Sequence, residues 1–361
     1  MNKTKQNRLS PQTRSDFITY GIVLVAFLVL QPMKMAGLLS SSLSGLLVPI
    51  CAYVVMAISL NLTVGVLGEL SLGHAGFMSV GAFSGVVAAA MMESTVSSAP
   101  LRLFLAIVIG GLIAGVAGFV IGIPVLRLRG DYLAIVTLAF GEIIKNIINC
   151  LYVGFDSQGL HIGMQDSVSL GMEQGGRVLI NGPVGAVGVA KLSSFTAGFL
   201  LILFSLVVVL NMKRSRTGRA IMAVRDNRIA AESVGIPITR YKMTAFITSA
   251  ILAGMAGVLF AMNYTSLIAS KFDFNTSILV LVFVVLGGMG NIRGSIIATV
   301  VLYILPEMLR GLDDFRMLIY AIVLIAVMLI TNSDRVRQLR DKFLAKRQSQ
   351  REKAEKGGRT A

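Results

Sequence analysis

The chain has 361 residues, of which 55% are hydrophobic and only 14% are charged, and its mean hydropathy is +0.78. A soluble domain carries about 25% charged residues, so this composition excludes an ordinary soluble enzyme, a disordered chain and a coiled coil. Lysine and arginine outnumber aspartate and glutamate by 33 to 18, which gives a net charge of +15. In so apolar a chain the basic residues set orientation in a lipid bilayer, and we predict no nucleic-acid partner.

Apolar runs predict the membrane spans, because a helix of about 20 residues crosses the hydrocarbon core of a bilayer. We predict an all-α, polytopic integral membrane protein with about ten spans, at residues 17–31, 43–66, 70–92, 101–123, 131–152, 195–212, 243–262, 276–288, 292–306 and 316–331. The eighth and ninth are short, so 276–306 forms either two tilted spans or one re-entrant hairpin. The glycine-rich third span is predicted to be broken, which requires surrounding protein or water.

The distribution of basic residues predicts the orientation. If the N-terminus is cytoplasmic, 25 of the 33 lysines and arginines fall on the cytoplasmic side and five on the other, a strong positive-inside bias. Both termini are therefore predicted to be cytoplasmic, as basic tails over 1–16 and 332–361 that flank a transmembrane domain over 17–331. Within that domain, 153–194 is predicted to be an external loop and 213–242 a cytoplasmic one.

Polar residues near the second and third spans form the first candidate site. Asn61, Thr63, Ser71 and His74 fall close enough in sequence to cluster between helices. Such a cluster either lines a substrate path or locks the helices together. The backbone at Gly73, where the broken third span begins, is a further candidate for the path.

Small residues recur every four positions in the fourth span, which predicts close helix packing. The positions are Gly110, Ala114, Gly118 and Gly122, and Ala253 and Gly257 repeat the spacing in the seventh span. The similarity fits either an inverted repeat, common among transporters, or a shared packing motif.

Glu142 is the carboxylate nearest the middle of the fifth span, and Lys145 follows at a spacing that places both on one helix face. The pair is either part of the substrate path or a buried lock between helices. Later in the chain, Gly287 and Gly288 interrupt the apolar stretch 276–306 and offer backbone groups to a substrate.

The basic segment 217–236 contains signals for two short helices. Asp226 or Asn227 is a good N-cap for the second helix, Gly235 is a natural residue after its end, and Pro237 blocks continuation. A short amphipathic helix suits a groove on a partner protein. The alternative interpretation is a solvated basic loop whose only role is to enforce topology.

Motifs for chemistry are missing from the sequence. It holds no phosphate-binding G-x-x-x-x-G-K-[ST] loop, no H-E-x-x-H metal motif and no G-x-S-x-G elbow. Cys51 and Cys150 both lie in apolar runs, and we predict neither a disulfide nor a metal site. We therefore predict no catalytic residues and no cofactor on this chain, so that any ATP and Mg²⁺ would bind to separate subunits.

Four ordered blocks carry a resemblance to a known family. They are Asn61–Phe77, Arg127–Glu142, Gly218–Ile236 and Leu286–Asn291. Over roughly residues 43–331 the chain resembles the permease subunits of branched-chain amino-acid ABC importers, specifically the M-type permease of the high-affinity leucine/isoleucine/valine system.

The resemblance implies a bacterial inner-membrane subunit that pairs with a second, homologous permease, two ATP-binding subunits and an external substrate-binding protein. It also implies that the cytoplasmic loop docks on the ATPase. The docking residues would be Gly218, Arg219, Arg225, Asp226, Asn227, Ile229, Ala230, Ala231, Glu232 and Gly235. The loop departs from the family pattern, because Ile229 stands where a glutamate is usual and no Leu-Pro closes the loop.

Two other functions stay open. A secondary transporter would use an ion gradient, with Glu142 as its proton site and no docking loop. The family also includes permeases for urea and sugars, so a small polar solute is an alternative substrate to leucine, isoleucine or valine.

Overall fold

The computed structural model describes residues 11–332 except 129, 158, 167, 169, 173–175, 310 and 312–314, so most of the two predicted basic tails lies outside the described residues. The helices are α1 (Pro11–Met35), α2 (Ser41–Asn61), α3 (His74–Met91), α4 (Ala99–Val125), α5 (Asp131–Asn149), α6 (Phe195–Arg214), α7 (Arg216–Asp226), α8 (Arg228–Ser233), α9 (Ile238–Ala261), α10 (Phe274–Gly287), α11 (Ile292–Met308) and α12 (Arg316–Asn332). The described residues up to Val301 form one compact unit, and those from Leu302 onward form a second.

Among the described residues, six helical stretches are long and apolar enough to cross a membrane. They are Asp16–Met35, Ser41–Leu67, His74–Met91, Ala99–Val125, Phe195–Arg214 and Ile238–Ala261, and Phe274–Gly287 is a shorter apolar helix. Helices α5, α11 and α12 coincide with predicted spans but do not belong to this group. The total of about ten spans therefore stays a prediction.

Helices α3, α4 and α9 form the centre of the first unit, packed closely on one another. The backbones of α3 and α9 meet at Gly81 and Gly254, where a Cβ atom on Gly81 would overlap the Gly254 backbone. On the other side of α9, the same Gly254 faces Ala114 of α4, and Gly118 faces Ala250. The predicted small-residue stripe is confirmed as the packing surface between α4 and α9.

The irregular backbone of this region lies between α2 and α3. Helix α2 continues as a π-helix over Leu62–Leu67, Gly68 takes a left-handed conformation with φ +80°, and non-helical chain leads to His74. Helix α3 itself runs without interruption over His74–Met91. The prediction of a break within the third span is wrong, because its glycines admit close helix packing instead of ending the helix.

A small antiparallel sheet occupies the region predicted to be an external loop, so the all-α prediction is wrong here. Its strands are β1 (Tyr152–Asp156), β2 (Gly159–Gly163), β3 (Arg177–Asn181), β4 (Ala186–Val187) and β5 (Ser266–Leu267), in the order β2-β1-β3-β4-β5. The last strand comes from the connection after α9. Strand pairing within and between these two connections gives hydrogen-bond partners to backbone N–H and C=O groups that lie outside the helices.

Helices α10 and α11 are joined by a tight turn at the predicted glycines. Gly288 and Gly290 have φ +91° and +79°, a conformation that favours glycine. Beside the turn, Gly287 lies against Gly294 and Ser295 with no room for a side chain. Two helices with a turn at 288–291 are thereby confirmed, whereas their path through the membrane stays a prediction.

Candidate functional site

The segment after α6 folds into the two predicted short helices. Ser215 caps α7 by accepting a hydrogen bond from the Gly218 amide at 3.1 Å. Asn227 caps α8 by accepting one from the Ala230 amide at 3.0 Å. Gly235 then has φ +81°, as expected of the residue that ends a helix. We call residues 215–236 the docking segment.

The docking segment has a buried inner side and an exposed outer side. Val224, Ala231 and Ile238 form a small apolar core, with Ile236 packed against it. Of the predicted docking residues, Gly218 and Ala231 are buried, and Arg219, Arg225, Asp226, Asn227, Ile229, Ala230, Glu232 and Gly235 are exposed. Two large apolar side chains, Ile229 and Val234, are 81% and 74% exposed. Both side chains are therefore accessible to a partner protein.

Arg225 is exposed by area, but its guanidinium is bonded to the rest of the chain. Its Nη1 donates to the Gly65 carbonyl in the π-helix at 2.9 Å. Its Nε and Nη2 donate to Asp226 Oδ1 at 2.9 and 2.8 Å. Arg225 and Asp226 were predicted to be docking residues, and nothing in the sequence indicated the contact between Arg225 and Gly65.

Charged groups tie other chain segments to the same end of the bundle. Lys242 pairs with Glu69, and Arg214 pairs with Asp16. Lys213 Nζ donates to the Gly290 carbonyl at 3.1 Å. The start of α1, the π-helix, the docking segment and the turn at 288–291 thus lie together. We call this the basic end.

A buried hydrogen-bonded chain links α2, α3 and α9. The His74 Nε2 and Ser59 Oγ atoms are 2.7 Å apart, and Ser249 Oγ donates to the Ser59 carbonyl at 2.6 Å. Thr63 Oγ1 donates to Ser249 Oγ at 2.8 Å. The predicted cluster therefore exists in part, with serines from α2 and α9 as partners that the sequence did not reveal.

The other predicted path residues from this region lie apart from that chain. Asn61 Nδ2 donates to Ser295 Oγ at 2.7 Å, and Asn61 Oδ1 accepts from the Gly290 amide at 3.1 Å. Ser71 Oγ is buried and has no hydrogen-bond partner among the described residues. Gly73 packs directly on the Thr137 carbonyl. Asn61 thus joins α2 to α11 and its turn.

Glu142 and Lys145 form the predicted ion pair on α5. Glu142 Oε1 also accepts a hydrogen bond from the Phe274 amide at 3.2 Å, at the start of α10. A carboxylate is favourable at a helix N-terminus, so this contact joins α5 to α10. Asn61, His74 and Glu142 consequently belong to three separate sets of partners.

The end of the bundle opposite the basic end holds the sheet. There Glu93, just after α3, lies 3.3 Å from Arg177 of β3 and 3.6 Å from Arg102 of α4. An open cleft beside them is lined by Ala90, Ser94, Phe155 and Leu179. These ion pairs attach the sheet to the helices.

No group of three or more His, Cys, Asp or Glu side chains lies together as a metal site within the described ranges. The sequence-based expectation of no metal and no cofactor on this chain stays a prediction.

Comparison with known proteins gives a consistent result. The family model described as "Branched-chain amino acid transport system / permease component" matches residues 42–331. The chain is 34% identical over 288 residues to the high-affinity branched-chain amino acid transport system permease protein LivM of Salmonella typhimurium. It is also 34% identical over 287 residues to the LivM protein of Escherichia coli. Each alignment covers 77% of this chain and 66%, just under two thirds, of the relative.

A more distant relative is named for a different substrate. The L-arabinose ABC transporter permease protein AraH of Azospirillum brasilense is 29% identical over 278 residues, which cover 76% of this chain and 73% of the relative. No solved structure matches the chain.

Proposed function

Because the chain belongs to the permease family of branched-chain amino acid transport systems, we propose that it is the membrane-spanning subunit of an ATP-driven importer of leucine, isoleucine and valine. It works in the bacterial inner membrane beside a second, homologous permease, with both termini in the cytoplasm. Two ATP-binding subunits supply ATP and Mg²⁺, and an external binding protein delivers the amino acid.

The observation that carries the coupling to an ATPase is the outer side of the docking segment. Ala231 anchors helix α8 in the apolar core, so Ile229 on this short, capped helix and Val234 directly after its last residue remain exposed. Exposed apolar side chains on a preformed helix suit insertion into a groove of a partner protein. The basic end, where the docking segment lies, faces the cytoplasm in this proposal.

Transport follows from two states of the permease pair. ATP closes the ATP-binding subunits, and the docking segments transmit that movement to the helices around a central path, which then opens inward. ATP can shift this equilibrium only if it binds one state better than the other. Inside the path, a zwitterionic amino acid needs polar partners, for which the His74 chain and the backbone near Gly73 and Gly288 are candidates.

A secondary transporter is the principal rival function. It would need a proton-accepting group in the membrane, and Glu142 is the candidate from the sequence. In the structure this carboxylate is bonded to Lys145 and to the Phe274 amide. Those partners favour a structural role for Glu142.

The test measures uptake of radiolabelled leucine in cells that express the complete transport system, after a protonophore has collapsed the proton gradient while ATP is maintained. We expect uptake to persist. Uptake that stops with the gradient would contradict an ATP-driven importer. Competition by excess isoleucine, arabinose or urea identifies the substrate class, and we expect only isoleucine to reduce leucine uptake.

The docking surface is tested in the same cells with Ile229→Asp/Val234→Asp. Two carboxylates on the contact side chains should lower leucine uptake at least about tenfold, since an unpaired charge buried in an interface costs several kcal/mol. Val168→Asp is the matched control, because Val168 is 85% exposed in the sheet-containing connection. The docking assignment fails if both variants import leucine normally at equal membrane abundance.

A further inference from the structure

We propose that Arg225 is a positioning residue that couples the docking segment to the π-helix at the end of α2, and is not a contact for the ATPase. This inference rests on the proposed function, since it concerns how movement of the docking segment reaches the membrane helices. From its sequence context alone, Arg225 was predicted to lie on the docking surface.

Arg225 completes the hydrogen bonding at the end of the π-helix. The last carbonyls of a helix have no partner within it. Here the Glu69 amide bonds to the Thr63 carbonyl, two residues before Gly65. The Gly65 carbonyl accepts its hydrogen bond from Arg225 Nη1 at 2.9 Å, from a residue 160 positions away. A cation at a helix C-terminus also interacts favourably with the helix dipole.

The chain is closely packed on both sides of this contact. A Cβ atom on Gly68 would lie 2.5 Å from Arg225 Cγ, so the arginine stem rests directly on the backbone. On its other side the π-helix touches the α10–α11 turn, where Gly65 leaves no space between itself and Gly290. Movement of the Arg225 stem would therefore act on closely packed backbone at Gly68 and, through the π-helix, at Gly290.

Asp226 orients the guanidinium of Arg225. Asp226 Oδ1 accepts from both Nε and Nη2, which leaves Nη1 directed at Gly65. Asp226 is the last residue of α7 and directly precedes the Asn227 cap of α8. The Arg225–Asp226 pair thus stands at the joint between the two docking helices, where a pull on α8 would act first.

Movement of the π-helix would reach the buried polar residues on both sides of it. Thr63 within it is bonded to Ser249 of α9. After it, Glu69 is paired with Lys242, and the chain continues to His74. π-Helical segments are rare and frequently occur at functional sites. The π-helix is accordingly the two-state element that Arg225 would bias.

The experiment uses the complete transporter in membrane vesicles and measures two rates, ATP hydrolysis and leucine import. Arg225→Ala should leave the ATP-binding subunits attached and active but raise the ATP hydrolysed per leucine imported by about tenfold, as expected for loss of a hydrogen bond from a charged group. Arg225→Lys keeps the charge without the planar fork and should be intermediate. Arg240→Ala is the control, because Arg240 is an exposed arginine at the start of α9.

The outcomes separate this inference from the proposed function. If Arg225→Ala releases the ATP-binding subunits during purification, Arg225 is a docking contact and the inference is wrong while the proposed function stands. An unchanged ratio of ATP to leucine also overturns it. Should Arg225→Ala fail to accumulate, Asp226→Asn is the milder variant, and it should raise the ratio in the same direction. If the unaltered transporter shows no ATP-coupled import, the proposed function itself fails.

Discussion

The Glu69–Lys242 pair is a deeply buried ion pair, with side chains 13% and 7% exposed. Removing one partner leaves the other charge without compensation, which typically costs about 3–5 kcal/mol. We therefore expect Lys242→Met to lower the thermal unfolding midpoint in detergent strongly. Glu69→Gln/Lys242→Met should recover most of the loss, because no uncompensated charge remains. Equal midpoints for the single and double variants would contradict this interpretation of the pair.

The sequence predicted polar pairs on one helix better than pairs between helices. Glu142 and Lys145 are three positions apart, so helix geometry alone brings them together. Glu69 and Lys242 are 173 positions apart, and only tertiary packing makes them neighbours. His74 was singled out as a buried polar residue, but its partner Ser59 lies in an apolar run that offered no signal.

At the scale of the element, the α3–α9–α4 contact depends on the absence of side chains. We expect Gly254→Ala to destabilise the protein by about 1–3 kcal/mol, since its methyl group would overlap Ala114 and the Gly110 carbonyl. Gly45→Ala in α2 is the control, because nothing lies within 4 Å of the added Cβ atom. Alanine also favours a helix over glycine. Thermal midpoints in detergent should fall for Gly254→Ala only, and a fall of equal size in the control would refute the packing argument.

The elements show where sequence reasoning reached its limit. Long apolar runs and the Asn227 cap act locally, so the membrane helices and the two short helices α7 and α8 were predictable. The sheet was not, because its strands have only two to five residues and β5 lies about 80 positions after β4. The π-helix was also missed, since it differs from an α-helix in the spacing of its backbone hydrogen bonds, and the apolar composition of Leu62–Leu67 fits either helix.

At the scale of the whole molecule, the distribution of charge and the fold both distinguish the two ends of the helix bundle. The basic end joins residues predicted to be cytoplasmic, through Arg214–Asp16, Lys213–Gly290 and Lys242–Glu69. The opposite end holds the sheet, built from connections predicted to be external. Pairing of β4 with β5 places the connections after α5 and after α9 on the same side, as the predicted topology requires.

This orientation gives a prediction for two single-cysteine variants, Val168→Cys and Ile229→Cys, in a chain that also carries Cys51→Ala and Cys150→Ser. Val168 and Ile229 are almost equally exposed, at 85% and 81%, so the access of the reagent to the two side chains is matched. Because basic connections stay on the cytoplasmic side, a membrane-impermeant maleimide should label Val168→Cys in intact spheroplasts and Ile229→Cys only after permeabilisation, when the permease is expressed without the ATP-binding subunits that would cover Ile229. The reverse pattern would place the docking segment outside the cell, where no ATP-binding subunit could reach it.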